Sequence, residues 1–314
     1  MKDGLESGLA LPEKWQGRLR GHRTEHWHWP AMPGGQDAPM TVLLHGWMDG
    51  AASFLPLVTA WRAQGHLGEI RALNWRGFGG SWHPDDPQVQ SYWYPDYLGD
   101  LDAFLGQVAK APVTLVGHSL GGNVASAYAA LRPQRVSALV NIEGFGLPDS
   151  EPAHAPDRLV QWLDSLQADE AQVAWHAGRE QALQRWGRWH PRVSLDRLRP
   201  LLPHFVVEDA RGVALAADPA HKRVSPVLYR KAENLALWRR IECPVLWIQG
   251  QDTDVQAFWR GKMDQAEVDA RLAVLRRLER ACVAGAAGAA HMVQLEQPGE
   301  LASRLGAWLS QGPA

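Results

Sequence analysis

Cysteine is nearly absent from this sequence: Cys243 and Cys282 are the only two in 314 residues. Neither belongs to a Cys-x-x-Cys pair, so neither a disulfide framework nor a thiolate metal site is expected, and both read as reduced core residues. Net charge is almost absent too. Lys and Arg total 32 and Asp and Glu 34, leaving a formal charge of −2, a balance that argues against a general binder of nucleic acid or anionic membrane. Nowhere do about eighteen apolar residues run together, and the opening stretch MKDGLESGLALPEKWQG lacks the apolar core of a secretory signal. A cytoplasmic protein acting on a small molecule is the expectation. No internal repeat of fixed period stands out.

What is there is a 46% hydrophobic chain, enough to bury a large core. GHRTEHWHW, from Gly21 to Trp29, alternates residue types, which puts Trp27 and Trp29 on one face of an edge hairpin and His26 and His28 on the other. Two imidazoles without a nearby third ligand read as strand residues rather than a metal site. Short buried strands follow in MTVLLHG, EIRALNWRGFGGS, APVTLVGHS and VSALVNIEG. Between them lie helical patterns such as DYLGDLDAFLGQVA, in which Leu98, Leu101, Leu105 and Val108 share a face. Strand and helix alternating in this order predict right-handed crossovers and a mostly parallel sheet flanked by helices.

The pattern changes between residues 148 and 240, where Trp-, Arg- and Leu-rich helical stretches are broken by prolines and no buried strand is expected. This reads as an inserted helical cap dividing a core of residues 1–147 and 241–314. The core resumes at CPVLWIQGQD, continues through a charged helix, QAEVDARLAVLRRLE, and closes with ACVAGAAGAAHM and the helix GELASRLGAWL.

The segment LVGHSLGGNVASAYAA, residues 115–130, carries the chemistry. Gly117, Ser119 and Gly121 form Gly-x-Ser-x-Gly between a buried strand and a helix, the setting in which a serine is held on a strained turn with its hydroxyl exposed near a helix N-terminus. The turn Arg76-Gly77-Phe78-Gly79-Gly80 lacks the lysine and hydroxyl residue of a phosphate loop and reads as structural.

With LLHGW at 43–47, NWRGFGGS at 74–81, GHSLGG at 117–122 and AAHMVQLEQPGELA at 289–302 in this order, the chain resembles the α/β-hydrolase fold family from about Met40 to the C-terminus, the cap excepted. The resemblance implies Ser119 as nucleophile, His291 as general base, and the backbone amides of Trp47 and Leu120 as oxyanion hole, each donor worth about 2.7–4 kcal/mol in the transition state. It implies a bracing role for His45 and requires neither metal nor organic cofactor. The acid stays open. Many members place an aspartate where this chain has Thr253. Gly250 to Asp254 matches a Gly-x-x-Ser-Asp version with threonine for serine and favours Asp254, while Asp252 is a neighbour. Glu143, ending the strand ALVNIE, stands where some dehalogenases of this fold carry their acid.

Serine at position 119 excludes the carboxylate-nucleophile chemistry of dehalogenases and epoxide hydrolases. Hydrolysis of a carboxylic ester or related acyl bond of a small, largely apolar substrate leads, with Trp162, Trp175, Trp186, Trp189 and Trp238 available to the cap and its pocket. Arg185, Arg188 and Arg192 read as solvated, or as binders of a substrate carboxylate. The alternatives are a C–C bond hydrolase of a dicarbonyl acid, and a non-catalytic small-molecule-binding homologue, the latter motivated by Thr253.

Overall fold

The computed structural model describes residues 9–312 except 88, 168–171, 286 and 287. Ten strands occur among the described residues, in chain order β1 (Glu13–Leu19), β2 (His22–Trp29), β3 (Thr41–Leu44), β4 (Ile70–Leu73), β5 (Val113–His118), β6 (Val136–Ile142), β7 (Val206–Asp209), β8 (Gly212–Leu215), β9 (Val245–Gly250) and β10 (Leu278–Val283). The α-helices are α1 (Leu55–Ala63), α2 (Tyr94–Val108), α3 (Leu120–Leu131), α4 (Ala155–Gln167), α5 (Arg179–Gly187), α6 (Leu195–Leu198), α7 (Lys231–Trp238), α8 (Val255–Phe258), α9 (Gln265–Leu272), α10 (Val293–Glu296) and α11 (Pro298–Ser310).

Eight strands form one sheet in the order β1-β2-β4-β3-β5-β6-β9-β10. The β1–β2 and β2–β4 pairs are antiparallel and every other pair is parallel. All residues of β3 and β5 are buried, as continuous apolar runs are when helices cover both faces of a parallel sheet. On one face Trp27, Phe54, Trp61, Leu301, Leu305 and Trp308 pack together, so α1 and α11 share that side. On the other, Leu101, Phe104, Val124, Tyr128, Trp238 and Leu272 join α2, α3, α7 and α9.

The edge hairpin forms as expected. Its two-residue turn puts Arg20 at φ 49° and Gly21 at φ 83°, the paired positive angles that match the twist of antiparallel strands. His26 is buried, stacked on Trp15 at 4.8 Å with Arg71 against its Nε2 at 3.0 Å. His28 faces Glu13 and Glu69.

Three expectations need correction. Cys282 is exposed on β10 rather than a core residue; Cys243 is buried. The stretch between β6 and β9 is helical but contains the antiparallel hairpin β7–β8, with Val206 opposite Leu215. Its far end is stitched to the turn after β4 by a Gly79 N–H to Ala216 carbonyl bond of 2.8 Å and an Asp218 N–H to Gly77 carbonyl bond of 2.8 Å. Leu183, Trp186, Leu198 and Phe205 of this stretch join the apolar cluster that holds Trp27 and Phe54. The charged helix expected through Glu279 stops at Leu272, because Leu278 onward pairs in register with Val245 and its successors in β9.

The Arg76 turn is structural, as expected: the guanidinium grips Asp100 through two 2.5 Å bonds. No helix among the described residues is long and apolar enough to cross a membrane.

Candidate active site

Ser119 stands between β5 and α3 at φ 51°, ψ −114°, a region costing a non-glycine residue about 1–3 kcal/mol. The fold imposes it. The Ser119 amide donates to the Ile142 carbonyl at 2.8 Å, and the Ser119 carbonyl accepts from the Asn123 amide at 3.0 Å. The flanking glycines allow the approach: a Cβ on Gly121 would sit 2.0 Å from the Leu44 carbonyl oxygen, and one on Gly117 2.3 Å from that of Gly121. The Asn141 side chain binds the Gly122 carbonyl, Ser126 and the Gly144 amide, tying the first turn of α3 to the end of β6.

His291, in the loop before α10, brings its Nε2 to 3.1 Å from Ser119 Oγ, which donates to it. Its other ring nitrogen, Nδ1, donates to Glu143 Oε2 at 3.3 Å. The Glu143 side chain is fully buried and follows β6 at φ 58°. Its second oxygen, Oε1, accepts from the Gly250 amide and from the Thr253 hydroxyl, each at 2.7 Å. A buried carboxylate needs such partners.

The other two acid candidates lie elsewhere. Asp254 caps α8, accepting from the Ala257 amide at 2.9 Å. Asp252 is a surface residue paired with Arg192 at 2.5 Å, and Arg192 also holds Glu296 at 2.8 Å. The geometry therefore joins Glu143, and neither Asp254 nor Asp252, to His291. Thr253, at the position where many relatives of this fold carry an acid, donates a hydrogen bond to the carboxylate that reaches the histidine from the neighbouring strand.

The loop after β3 closes the other side. His45 is fully buried; its Nε2 accepts from the Trp75 amide at 3.0 Å and its Nδ1 donates to the Gly46 carbonyl at 2.7 Å. Burial pushes its pKa down to about 3, so the ring is a neutral brace. A Cβ on Gly46 would lie 3.4 Å from the Ser119 Cβ, which brings the Trp47 amide beside the serine. Leu120 opens α3, so its N–H has no carbonyl of an earlier turn to bond.

Two contributors escaped the sequence reading. His118, buried beneath the serine, donates from Nε2 to the His291 carbonyl at 2.7 Å and accepts at Nδ1 from Gln294 at 3.2 Å. Burial holds it neutral, well below the usual histidine range. Its place next to the serine was the available signal. The second is Asp49, which lines a narrow recess of about 10 Å³ together with Met48, Trp186, Trp189, Phe205 and Leu215. Of the other tryptophans, Trp238 is core and Trp175 lies under the Arg211 guanidinium. Among the described residues no cluster of His, Cys, Asp and Glu fits a metal ion.

Comparison with known proteins agrees with this architecture. A serine hydrolase-like protein of Dictyostelium discoideum is 25% identical over 252 residues, 78% of this chain and 68% of that protein. A serine hydrolase-like protein of Danio rerio is 30% identical over 149 residues, 46% of this chain. The match spans only 40% of the length of the Danio protein. The thioesterase domain from the curacin biosynthetic pathway superposes with a TM-score of 0.79 at 20% identity, covering 94% of this chain and 99% of that one, a likeness of fold. The sequence model of the alpha/beta hydrolase family matches residues 41–304, and the chain belongs to that family.

Proposed function

We propose that this chain is a serine hydrolase cleaving a carboxylic ester or related acyl bond of a small, largely apolar substrate. One observation carries the reading: the 3.1 Å contact of Ser119 Oγ with His291 Nε2, continued at 3.3 Å from His291 Nδ1 to buried Glu143. His291 takes the Ser119 proton as Oγ attacks the carbonyl carbon. The negative charge that gathers on the carbonyl oxygen meets the Trp47 and Leu120 amides. His291 then returns the proton to the departing alcohol oxygen, leaving an acyl-enzyme, and activates the water that releases the acid and regenerates Ser119. Glu143 fixes the His291 tautomer and stabilises the imidazolium at each stage.

Residues 148–240 act as the cap, with Trp186 and Trp189 supplying an apolar wall. Thr253 as a donor to Glu143 removes the motive for a non-catalytic reading. The test is labelling by a fluorophosphonate probe. Folded wild type should label and Ser119→Ala should not; an unlabelled wild type would leave the proposal without its nucleophile.

A further inference from the structure

One carboxylate grips the histidine loop on both sides of His291. Glu296 ends α10 with its side chain 6% exposed. Its Oε2 accepts the Ala290 amide at 2.9 Å and its Oε1 the Met292 amide at 3.3 Å, so the residues before and after the histidine are fixed to a single group. The same loop meets the loop after β9, where the Asp252 amide donates to the Ala289 carbonyl at 2.7 Å. Asp252 precedes Thr253, whose hydroxyl holds Glu143. The place of His291 between Ser119 and Glu143 therefore depends on how these two loops are held together.

One cation bridges them, and it comes from the stretch between β6 and β9. Arg192 donates from Nε to Glu296 Oε2 at 2.8 Å and from a terminal nitrogen to Asp252 Oδ2 at 2.5 Å. The arginine stands on an anchored segment: the next residue, Val193, is buried with Trp186 and Leu198, and its amide donates to the His190 carbonyl at 2.9 Å. Arg197, on α6, adds a 3.2 Å bond to the Glu296 carbonyl. The Arg192 guanidinium is thus neither solvated alone nor open to a substrate carboxylate, because two carboxylates of the core already hold it.

Stability does not account for this bridge. Arg192 and Asp252 are 40% and 39% exposed, and ion pairs that open to water contribute little to folding. What the bridge supplies is geometry. A planar guanidinium reaches two acceptors at fixed angles, and a misplacement of about 1 Å at reacting groups costs on the order of a hundredfold in rate. His291 Nδ1 is 3.3 Å from Glu143, already long for a hydrogen bond, so drift of the histidine loop would break it.

We propose that Arg192 is a positioning residue: by tying Glu296 to Asp252 it holds His291 in line with Ser119 and Glu143 and couples that alignment to the seating of residues 148–240. The assignment rests on the reading of Ser119 and His291 as the reacting pair, but one arm of its test does not need turnover.

The experiment compares wild type, Arg192→Met, Arg192→Lys and Arg199→Met. Arg199 is a matched control, an arginine of the same 40% exposure paired with Glu180 on the surface. Each protein is measured for its rate of fluorophosphonate labelling, its kcat and KM on p-nitrophenyl butyrate, its thermal midpoint, and the downfield proton resonance of His291 Nδ1–H. Arg192→Met should label at least tenfold more slowly and lose kcat by a similar factor, with KM within about twofold. Its Nδ1–H resonance should broaden or move upfield while the midpoint stays within about 3 °C of wild type. Arg192→Lys, a point charge able to serve one carboxylate at a time, should recover part of the lost rate, and Arg199→Met should match wild type throughout. A wild-type labelling rate in Arg192→Met, an unchanged Nδ1–H resonance, or a slowing equalled by Arg199→Met would each overturn the proposal. If Arg192→Met fails to fold, Asp252→Asn weakens the same bridge from its other end and decides by the same labelling and resonance measurements. An unlabelled wild type would strike the hydrolase reading instead, and the resonance would still show whether Arg192 aligns the imidazole, so the two failures are distinguishable.

Discussion

At the scale of single residues, the Glu143 carboxylate and the Asp254 carboxylate have different work. In the proposed triad Glu143 orients His291, so Glu143→Gln should lower kcat by three to four orders of magnitude on any ester that proves to be a substrate, as loss of the acid does in comparable serine–histidine–acid sites. Asp254→Asn should leave kcat within about threefold. Asp254→Ala removes the α8 cap and should cost about 1 kcal/mol of stability. Steady-state kinetics on both folded variants decide; a large kcat loss in Asp254→Asn with little in Glu143→Gln would reverse the assignment. The Ser119–His291 contact was legible in the sequence because each residue sits in a local motif whose neighbours are adjacent in the chain. The contact of His291 with Glu143 was not, because it depends on how the end of β6 meets the loop after β9. Thr253 pointed to a missing acid only until its hydroxyl was seen to donate to Glu143.

Asp49 gives a second prediction at this scale. Its carboxyl is raised from 3.8 to about 7 in the folded protein. Between those values the folded state holds the proton more firmly than the unfolded chain, so this group's contribution to stability falls as pH rises from about 4 to 7. Asp49→Asn removes that slope. Relative to wild type it should gain stability progressively over the window, by on the order of 2–4 kcal/mol at pH 8. Urea unfolding of both proteins at several pH values measures it, and parallel curves would show the carboxyl to be ordinary.

At the scale of elements, β5, the serine turn and α3 are held together by glycines for two separable reasons. Gly121 is where α3 crosses the end of β3, and a methyl group there would meet the Leu44 backbone at 2.0 Å. Gly106, on the exposed side of α2, meets nothing within 4 Å. Gly121→Ala should therefore lose several kcal/mol and all activity, whereas Gly106→Ala should gain about 0.8–1 kcal/mol from helix propensity alone. Denaturation midpoints should move in opposite directions; a well-folded, active Gly121→Ala would mean that the close crossing is dispensable. The buried strands β3, β5, β6 and β9 were readable because each is a short apolar run bounded by turn residues. The β7–β8 hairpin was not. Its strands are four residues long and only partly buried, and Gly212 at φ 124° was its sole sharp marker. The end of α9 was obscured for the opposite reason: the sequence after Leu272 keeps a helical period, but pairing with β9 draws Leu278–Val283 into the sheet.

At the scale of the whole molecule, the histidines set how the protein meets acid. Of thirteen in the chain, His26, His45, His118 and His221 are buried in the folded state. Burial lowers His26 to about 4, His45 and His221 to about 3, and His118 well below 6.5. These rings stay neutral in the fold while an unfolded chain takes up their protons below about pH 6.5. The unfolded state thus binds more protons, and stability is lost as pH falls from about 6.5 toward 4. Each fully buried ring contributes up to about 1.4 kcal/mol per pH unit. Asp49 opposes them with one such slope of the other sign, which the several lowered histidines together outweigh. Against a total stability of about 5–15 kcal/mol, cooperative acid unfolding is expected between about pH 5 and pH 3.5. Circular dichroism against pH should show one transition there. Replacing His26, which touches neither Ser119 nor Glu143 and stacks on Trp15 and Phe104, by Phe should shift the midpoint downward by a few tenths of a unit while ester turnover at pH 8 persists. Stability that is flat from pH 6.5 to 4.5 would mean that these rings take up protons in the folded state as easily as in the unfolded chain.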